Sequence, residues 1–100
     1  MSFDLITDFT NFCAGCSSLK TIKFDSSAKA NRIIKMIAMF KGCNSLTSIT
    51  FPSGFDFSKV LATSFAFYNC EKISSINFPS GYRFEKIDQM NSMFYNCYSL

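Results

Sequence analysis

The apolar positions of this chain recur with a fixed 27-residue period. Cysteines mark the period, because Cys16, Cys43, Cys70 and Cys97 follow one another at this step. The same step aligns leucine with isoleucine, phenylalanine with phenylalanine, and one Pro-Ser-Gly triplet with another. Agreement at so many positions predicts a single array of repeat units, in which each unit covers the apolar face of its neighbour.

The cysteines also suggest how the array divides. We expect a degraded first unit at 1–15, full repeats at 16–42, 43–69 and 70–96, and the start of another at 97–100. Since the pattern is still running at Leu100, we expect these 100 residues to belong to a longer protein.

One part of each unit has the pattern of a β-strand. Leu46, Ile49 and Phe51 alternate with small polar residues, and a turn that begins at Pro52 ends the run. The 27-residue step places equivalent strands at 19–24, 46–51 and 73–78. We expect these three strands to be parallel and in register, about 4.8 Å apart.

A second part of each unit has helical spacing. Ile33, Met36, Ile37, Phe40 and Cys43 are three or four positions apart, which predicts a short helical or 3₁₀ segment with one buried face. The predicted fold class is therefore α/β, a solenoid of 27-residue units with one short parallel strand and one short helical or 3₁₀ segment in each. Rows of stacked side chains would form its core. The phenylalanines expected to point inward are Phe24, Phe40, Phe51, Phe57, Phe67, Phe78, Phe84 and Phe94.

Two segments carry a family resemblance. Residues 39–46 read Met-Phe-Lys-Gly-Cys-Asn-Ser-Leu and residues 93–100 read Met-Phe-Tyr-Asn-Cys-Tyr-Ser-Leu. Both resemble the Met-Phe-x-x-Cys-x-Ser-Leu consensus of the BspA-like leucine-rich-repeat proteins, and equally the bacterial surface-lipoprotein repeat of about 26 residues. The first unit departs from this pattern, because Cys13 takes the Phe place and residues 25–28 replace the Pro-Ser-Gly turn.

The resemblance covers nearly the whole chain and implies a leucine-rich-repeat solenoid. It further implies a cell-surface or secreted protein of host-associated bacteria or protists, used for adhesion and for binding proteins or matrix. We expect no secretory signal within this segment, because Asp4 and Asp8 stand where such a signal would carry bases.

The five cysteines allow three interpretations. The column of periodic cysteines lies between positions expected to point inward, such as Phe40 and Leu46, which favours buried free thiols. Stacked cysteines of adjacent units would also be close enough for disulfides, which suit an extracellular protein. Cys13 and Cys16 have the Cys-x-x-Cys spacing of half a zinc site or of a redox pair, although neither a second such pair nor a histidine is present to complete a zinc shell.

The composition argues against an enzyme. The chain has 13 Phe, no Trp and no His, and the lack of histidine excludes Ser-His and Cys-His catalytic pairs. Its acidic residues do not recur at one repeat position, and no glycine-rich phosphate loop is present. We therefore expect no enzymatic activity, no cofactor and no metal site.

Basic residues concentrate in the first full repeat, although the net charge of +3 is modest and requires no nucleic-acid partner. No apolar run approaches the roughly 20 residues of a membrane-spanning helix, so we expect no membrane insertion. The cations could attract an anionic ligand, but solvent exposure alone explains most of them. They are Lys20, Lys23, Lys29, Arg32, Lys35 and Lys41, and one row recurs as Arg32, Lys59 and Lys86. The tyrosines with no fixed core position are Tyr68, Tyr82, Tyr95 and Tyr98.

The outward positions of the three strands form the candidate binding surface, which we name the strand face. A rigid face rich in hydroxyl groups suits recognition of a protein or glycan ligand, because weak donors and acceptors sit at fixed spacing. The strand face comprises Lys20, Thr21, Lys23, Thr47, Ser48, Thr50, Ser74, Ser75 and Asn77.

Two other functions remain open at this point. The repeats could form a structural stalk or spacer, or an intracellular scaffold for protein interactions. We also expect end-to-end self-association, because a repeat array buries its apolar rows only where a neighbour covers them.

Overall fold

The computed structural model describes residue 3 and residues 5–79 and 87–100. In these ranges the regular elements are five short strands, and no α-helix or 3₁₀ helix is present. The strands are β1 (Thr21–Lys23), β2 (Lys29–Ala30), β3 (Ser48–Thr50), β4 (Gly54–Phe55) and β5 (Ser75–Asn77).

The strands β1, β3 and β5 form a parallel sheet in that order, as the repeat spacing predicts. Ile22 pairs with Ile49 and Ile49 with Ile76, so each strand is displaced by one repeat from the next. The parallel, in-register arrangement is confirmed, but each strand is about half as long as the pattern predicted. Turns limit their length, since Leu46 N–H donates to the Cys43 carbonyl before β3 and Phe55 N–H to the Pro52 carbonyl after it.

A second parallel pair joins β2 to β4 with a different step. Ala30 pairs with Phe55, whereas the 27-residue step would align Ala28 with Phe55. A shift of two positions keeps the same side chains pointing inward, and Ala28, Ala30 and Phe55 are all buried. Gly54 fits this crowded pairing, because a Cβ there would lie 2.5 Å from the Ala28 carbonyl oxygen.

The segment expected to be helical is built of turns, so that prediction was wrong. We name the equivalent stretches 9–16, 36–43, 63–70 and 90–97 the turn segments. In the second of them, the N–H groups of Met36, Ala38, Phe40 and Gly42 donate to carbonyls of the next repeat. Only the alternate N–H groups, such as that of Cys43, bond three positions back within the segment. A helix would use every N–H internally, so bonding between repeats replaces it.

Two positions in each turn segment have left-handed backbone. The φ angles of Ala38 and Gly42 are 54° and 78°, a region that an α-helix does not enter. The equivalent positions also have positive φ in the other turn segments. They are occupied by Asn11 and Gly15, by Phe65 and Asn69, and by Ser92 and Asn96. Inward apolar residues are still three and four apart, which is why the sequence pattern imitates a helix.

Rows of stacked rings form the core, as predicted. Phe40 and Phe67 are fully buried with ring centroids 5.6 Å apart, and Phe94 continues the row 5.7 Å beyond Phe67. Phe57 is also buried, while Phe84 lies outside the described residues. The prediction that Phe94 points into the core was wrong, because its side chain is 42% exposed. Phe67 covers one face of its ring, and no described residue is recorded stacking on the other.

Candidate binding surface on the strand face

The strand face consists of three rows of residues that run across the sheet. The structure describes all nine predicted residues, and each is exposed or half-buried. Pairing aligns Thr21, Ser48 and Ser75 in one row and Lys23, Thr50 and Asn77 in another. The third row, Lys20, Thr47 and Ser74, is joined by backbone bonds, since Thr47 N–H donates to the Lys20 carbonyl and Ser74 N–H to the Thr47 carbonyl.

Several side chains of the face are engaged within the sheet. The Thr47 hydroxyl donates to the Lys20 carbonyl at 3.3 Å, and the Ser74 hydroxyl donates to the Thr47 carbonyl at the same distance. The Asn77 amide donates to the Thr50 hydroxyl oxygen at 3.2 Å. Among the described residues, no hydrogen bond is recorded for the side chains of Thr21 and Ser48. The row that contains Thr21 and Ser48 is therefore better placed to donate hydrogen bonds to a ligand than the row that contains Thr47.

A groove with a volume of about 520 Å³ is lined by residues of β1, of β3 and of the loops that follow these two strands. Four of the nine predicted residues line it, namely Thr21, Lys23, Ser48 and Thr50. The other five, Lys20, Thr47, Ser74, Ser75 and Asn77, lie outside its lining. A groove of this size is in the range of small-molecule and side-chain binding sites.

Sequence reasoning missed four further residues of the groove. Ile22, Phe24, Ser26 and Pro52 also line it, whereas the sequence pattern predicts Phe24 only as a core residue. Phe24 stacks on Phe51 with ring centroids 5.8 Å apart, but it is half-buried and so serves both the core and the groove. Ser26 follows β1 and Pro52 follows β3. Their closeness to a strand end is a sequence signal for them, but whether they reach the groove depends on how the following turns fold.

One cation, Lys23, lines the groove, and a second, Lys20, directly precedes β1 outside the lining. Lys20 and Lys23 are exposed, and among the described residues neither makes an ion pair with a carboxylate. The nearest acid along the chain, Asp25, is turned into its own loop, because its Oδ1 accepts the Ser27 N–H at 2.9 Å and the Ser27 hydroxyl at 2.7 Å. These bonds hold the pKa of the Asp25 carboxyl below its ordinary value, so it remains ionised without pairing with Lys23.

The cysteine column is part of the core rather than a second site. Three of its four thiols donate to a carbonyl of the preceding turn segment at 3.1 Å, from Cys43 to Cys13, from Cys70 to Phe40 and from Cys97 to Phe67. All five cysteines are free thiols, and Cys43 and Cys70 are buried as expected. Burial raises the pKa of Cys43 and of Cys70 to about 12 and that of Cys13 to about 11, which keeps these thiols protonated at neutral pH.

Other predicted contact residues lie away from the groove. Tyr68 and Tyr95 stack with centroids 5.1 Å apart, and the Lys41 ammonium lies 5.4 Å from the ring centres of both Phe65 and Tyr68. Of the predicted cationic row, Arg32 and Lys59 are exposed. Tyr82 and Lys86 lie outside the described residues.

The described residues contain no cluster of three or more cysteine or acidic side chains arranged to hold a metal ion. They also contain no helix with the length and hydropathy needed to cross a membrane.

The chain matches a known family of repeat proteins. A model described as a BspA type leucine rich repeat region matches residues 8–100 in six copies. No curated protein and no solved structure matched the chain.

Proposed function

The chain belongs to the BspA-type leucine-rich repeat family, and from that premise we propose that it is a non-catalytic binding and adhesion module whose protein or glycan ligand docks on the strand face. Repeats of this family are generally modules for protein interaction and adhesion. The observation that carries the proposal is the groove, because four of the nine residues chosen from the repeat pattern alone also line a concavity.

The available side chains support binding rather than catalysis. No histidine is present to act as a general base, and the raised pKa of the buried Cys43 and Cys70 thiols makes them poor nucleophiles. The carboxyls of Asp8, Asp25 and Asp56 each accept a bond from the backbone N–H two positions on. These acids stabilise turns.

We also retain the solenoid architecture and the division into units at 16–42, 43–69 and 70–96 as proposals. They are supported by parallel bridges from Asp8 to Lys35, from Lys35 to Ala62 and from Ala62 to Gln89, each of which spans one repeat. Since the family usually occurs on the bacterial surface or in secreted proteins, the proposed location is the cell surface or the extracellular medium.

The experiment that tests the function is a solid-phase binding assay with a panel of immobilised matrix proteins and mucin-type glycans. The variant Ser48→Arg/Thr50→Arg fills the groove, and Asn31→Arg/Asn44→Arg adds the same charge at exposed positions outside it. We expect wild type and the control to retain a ligand that the groove variant loses. Equal binding by all three proteins would refute the strand face as the site.

The principal alternative is a structural stalk or spacer, and an intracellular scaffold is another. A spacer would bind no member of the panel, while an intracellular scaffold would bind cytosolic rather than matrix proteins. The protonated, buried thiols suit a reducing compartment as well as an extracellular one. Fractionation of cells that express the intact protein separates these locations.

We also propose end-to-end self-association, because a repeat array buries its apolar rows only where a neighbouring unit covers them. Sedimentation velocity over a hundredfold concentration range tests this proposal, which predicts species larger than the monomer at the high end.

A further inference from the structure

The two ends of the strand face differ in charge. Lysine occurs only on the first strand, where Lys20 is followed along its row by Thr47 and Ser74, and Lys23 by Thr50 and Asn77. None of the nine residues of the face is acidic. Both ammonium groups are exposed and have no carboxylate partner among the described residues. Such unpaired cations favour an anionic ligand.

The groove adds an apolar component beside these cations. Ile22, Phe24 and Pro52 are each half-buried and line the groove, with Lys23 at its edge. Its volume of about 520 Å³ exceeds that of any one side chain, so it can admit an apolar side chain together with part of a backbone. Sulfated sugars carry anionic groups but lack a bulky apolar side chain. A peptide can supply both components.

The other charged groups near the groove are compatible with a ligand that carries both anionic groups and an apolar side chain. Asp25 lies in the loop that follows β1, but its carboxylate accepts two bonds from Ser27 and is held in the turn. Lys29 is exposed at the start of β2. The hydroxyl groups of Thr21, Ser26 and Ser48 line the groove and can donate to a carboxylate or to a peptide carbonyl.

On these grounds, and resting on the proposed function, we infer that the strand face binds an extended acidic peptide that places one apolar side chain in the groove. Lys20 and Lys23 are three positions apart on or next to a strand, which corresponds to about 10 Å. An extended ligand running along β1 would therefore carry acidic residues at positions i and i+4 with the apolar residue at i+2, because these three side chains share one side of an extended chain.

The test is selection from a random twelve-residue peptide display library on the immobilised 100-residue chain. We expect enrichment of Asp or Glu at a spacing of four, with Leu, Ile or Phe midway between them. Lys20→Gln/Lys23→Gln should lower the affinity for an enriched peptide by roughly five- to tenfold, because exposed ion pairs are individually weak. Lys59→Gln/Lys72→Gln removes the same charge from exposed positions outside the strand face and should leave affinity unchanged.

A charge-reversed variant sharpens the result. Lys20→Glu/Lys23→Glu should redirect the selection towards Lys and Arg while circular dichroism remains that of the wild type. Selection of peptides that lack a preference for Asp or Glu, and whose binding the groove variant Ser48→Arg/Thr50→Arg abolishes, would overturn the acidic ligand. It would leave the proposed function intact. A sulfated glycan whose binding is lost on Lys20→Gln/Lys23→Gln, with no peptide selected, would overturn the peptide in favour of the glycan.

Discussion

The strand face and the turn segments follow the same 27-residue period but use it differently. On the strand side, the inward row Ile22, Ile49 and Ile76 alternates with outward positions whose residue types change from repeat to repeat. In the turn segments, backbone bonds, left-handed residues and thiols recur with little change. The turn segments therefore hold the repeats together, while the strands leave an exposed surface free to vary. Substitutions on the two sides should have correspondingly different effects.

The largest effect is expected in the aromatic row of the turn segments. Phe67 is fully buried and stacks on both Phe40 and Phe94. Phe67→Ala should lower the free energy of unfolding by about 3–5 kcal/mol, as for other buried aromatic residues, measured by urea denaturation. Phe94→Ala is the control and should cost about 1–2 kcal/mol, because its ring is already 42% exposed. If Phe67→Ala is unfolded, Phe67→Leu should give a smaller loss of the same sign, and equal losses at 67 and 94 would contradict the stacked row.

The buried thiols predict a stability that falls in alkaline solution. Burial raises the pKa of Cys43 and Cys70 from 9.0 to about 12, so the folded state favours the protonated thiol. This contribution is complete below pH 9, where unfolded thiols are protonated too, and is lost as the pH rises from 9 towards 12. Urea denaturation at pH 8, 9, 10 and 11 should show the decline, and Cys43→Ala/Cys70→Ala should flatten it. An unchanged slope in the double variant would mean that other groups cause the alkaline loss.

The left-handed turn positions separate the turn structure from the helix that the sequence pattern suggests. Ala38 has φ of 54°, a conformation costly for a residue with a Cβ and cheap for glycine. Ala38→Gly should therefore stabilise the protein by about 0.5–1 kcal/mol, whereas a helical segment would lose about that amount. Ala66→Gly is the matched control, because Ala66 is buried without a positive φ, and it should destabilise. Thermal and urea denaturation of the pair give the signs.

The features that could be predicted from the sequence divide in the same way, between the strands and the turn segments. The strand register followed from Ile22, Ile49 and Ile76, since a residue that points inward in one repeat must meet its equivalent in the next. The turn segments were mistaken for helices because Met36, Phe40 and Cys43 keep helical spacing in a chain that bonds to its neighbours. The positive φ at Ala38 and Gly42 and the donor pattern separate the two structures, and neither is visible in a hydrophobic pattern.

The candidate site shows the same division. Thr21, Lys23, Ser48 and Thr50 were found because strand alternation tells which side chains face outward. Ser26 and Pro52 were missed because their position depends on how the turns fold over the sheet. That folding includes the shifted pairing of Ala30 with Phe55, which the 27-residue period does not indicate.

The smallest effects on stability are expected on the strand face, where function should be most sensitive. Ser48 is half-buried and Thr50 exposed, and both lie on the groove. Ser48→Ala and Thr50→Ala should each change the free energy of unfolding by no more than about 0.5 kcal/mol, as is usual for surface positions. Thr50→Ala also removes the acceptor of the Asn77 amide, so any loss should be larger there. A cost above about 2 kcal/mol at either position would show that the hydroxyls hold the sheet together. A stable variant with lost ligand binding would instead show that the face is kept polar for its ligand.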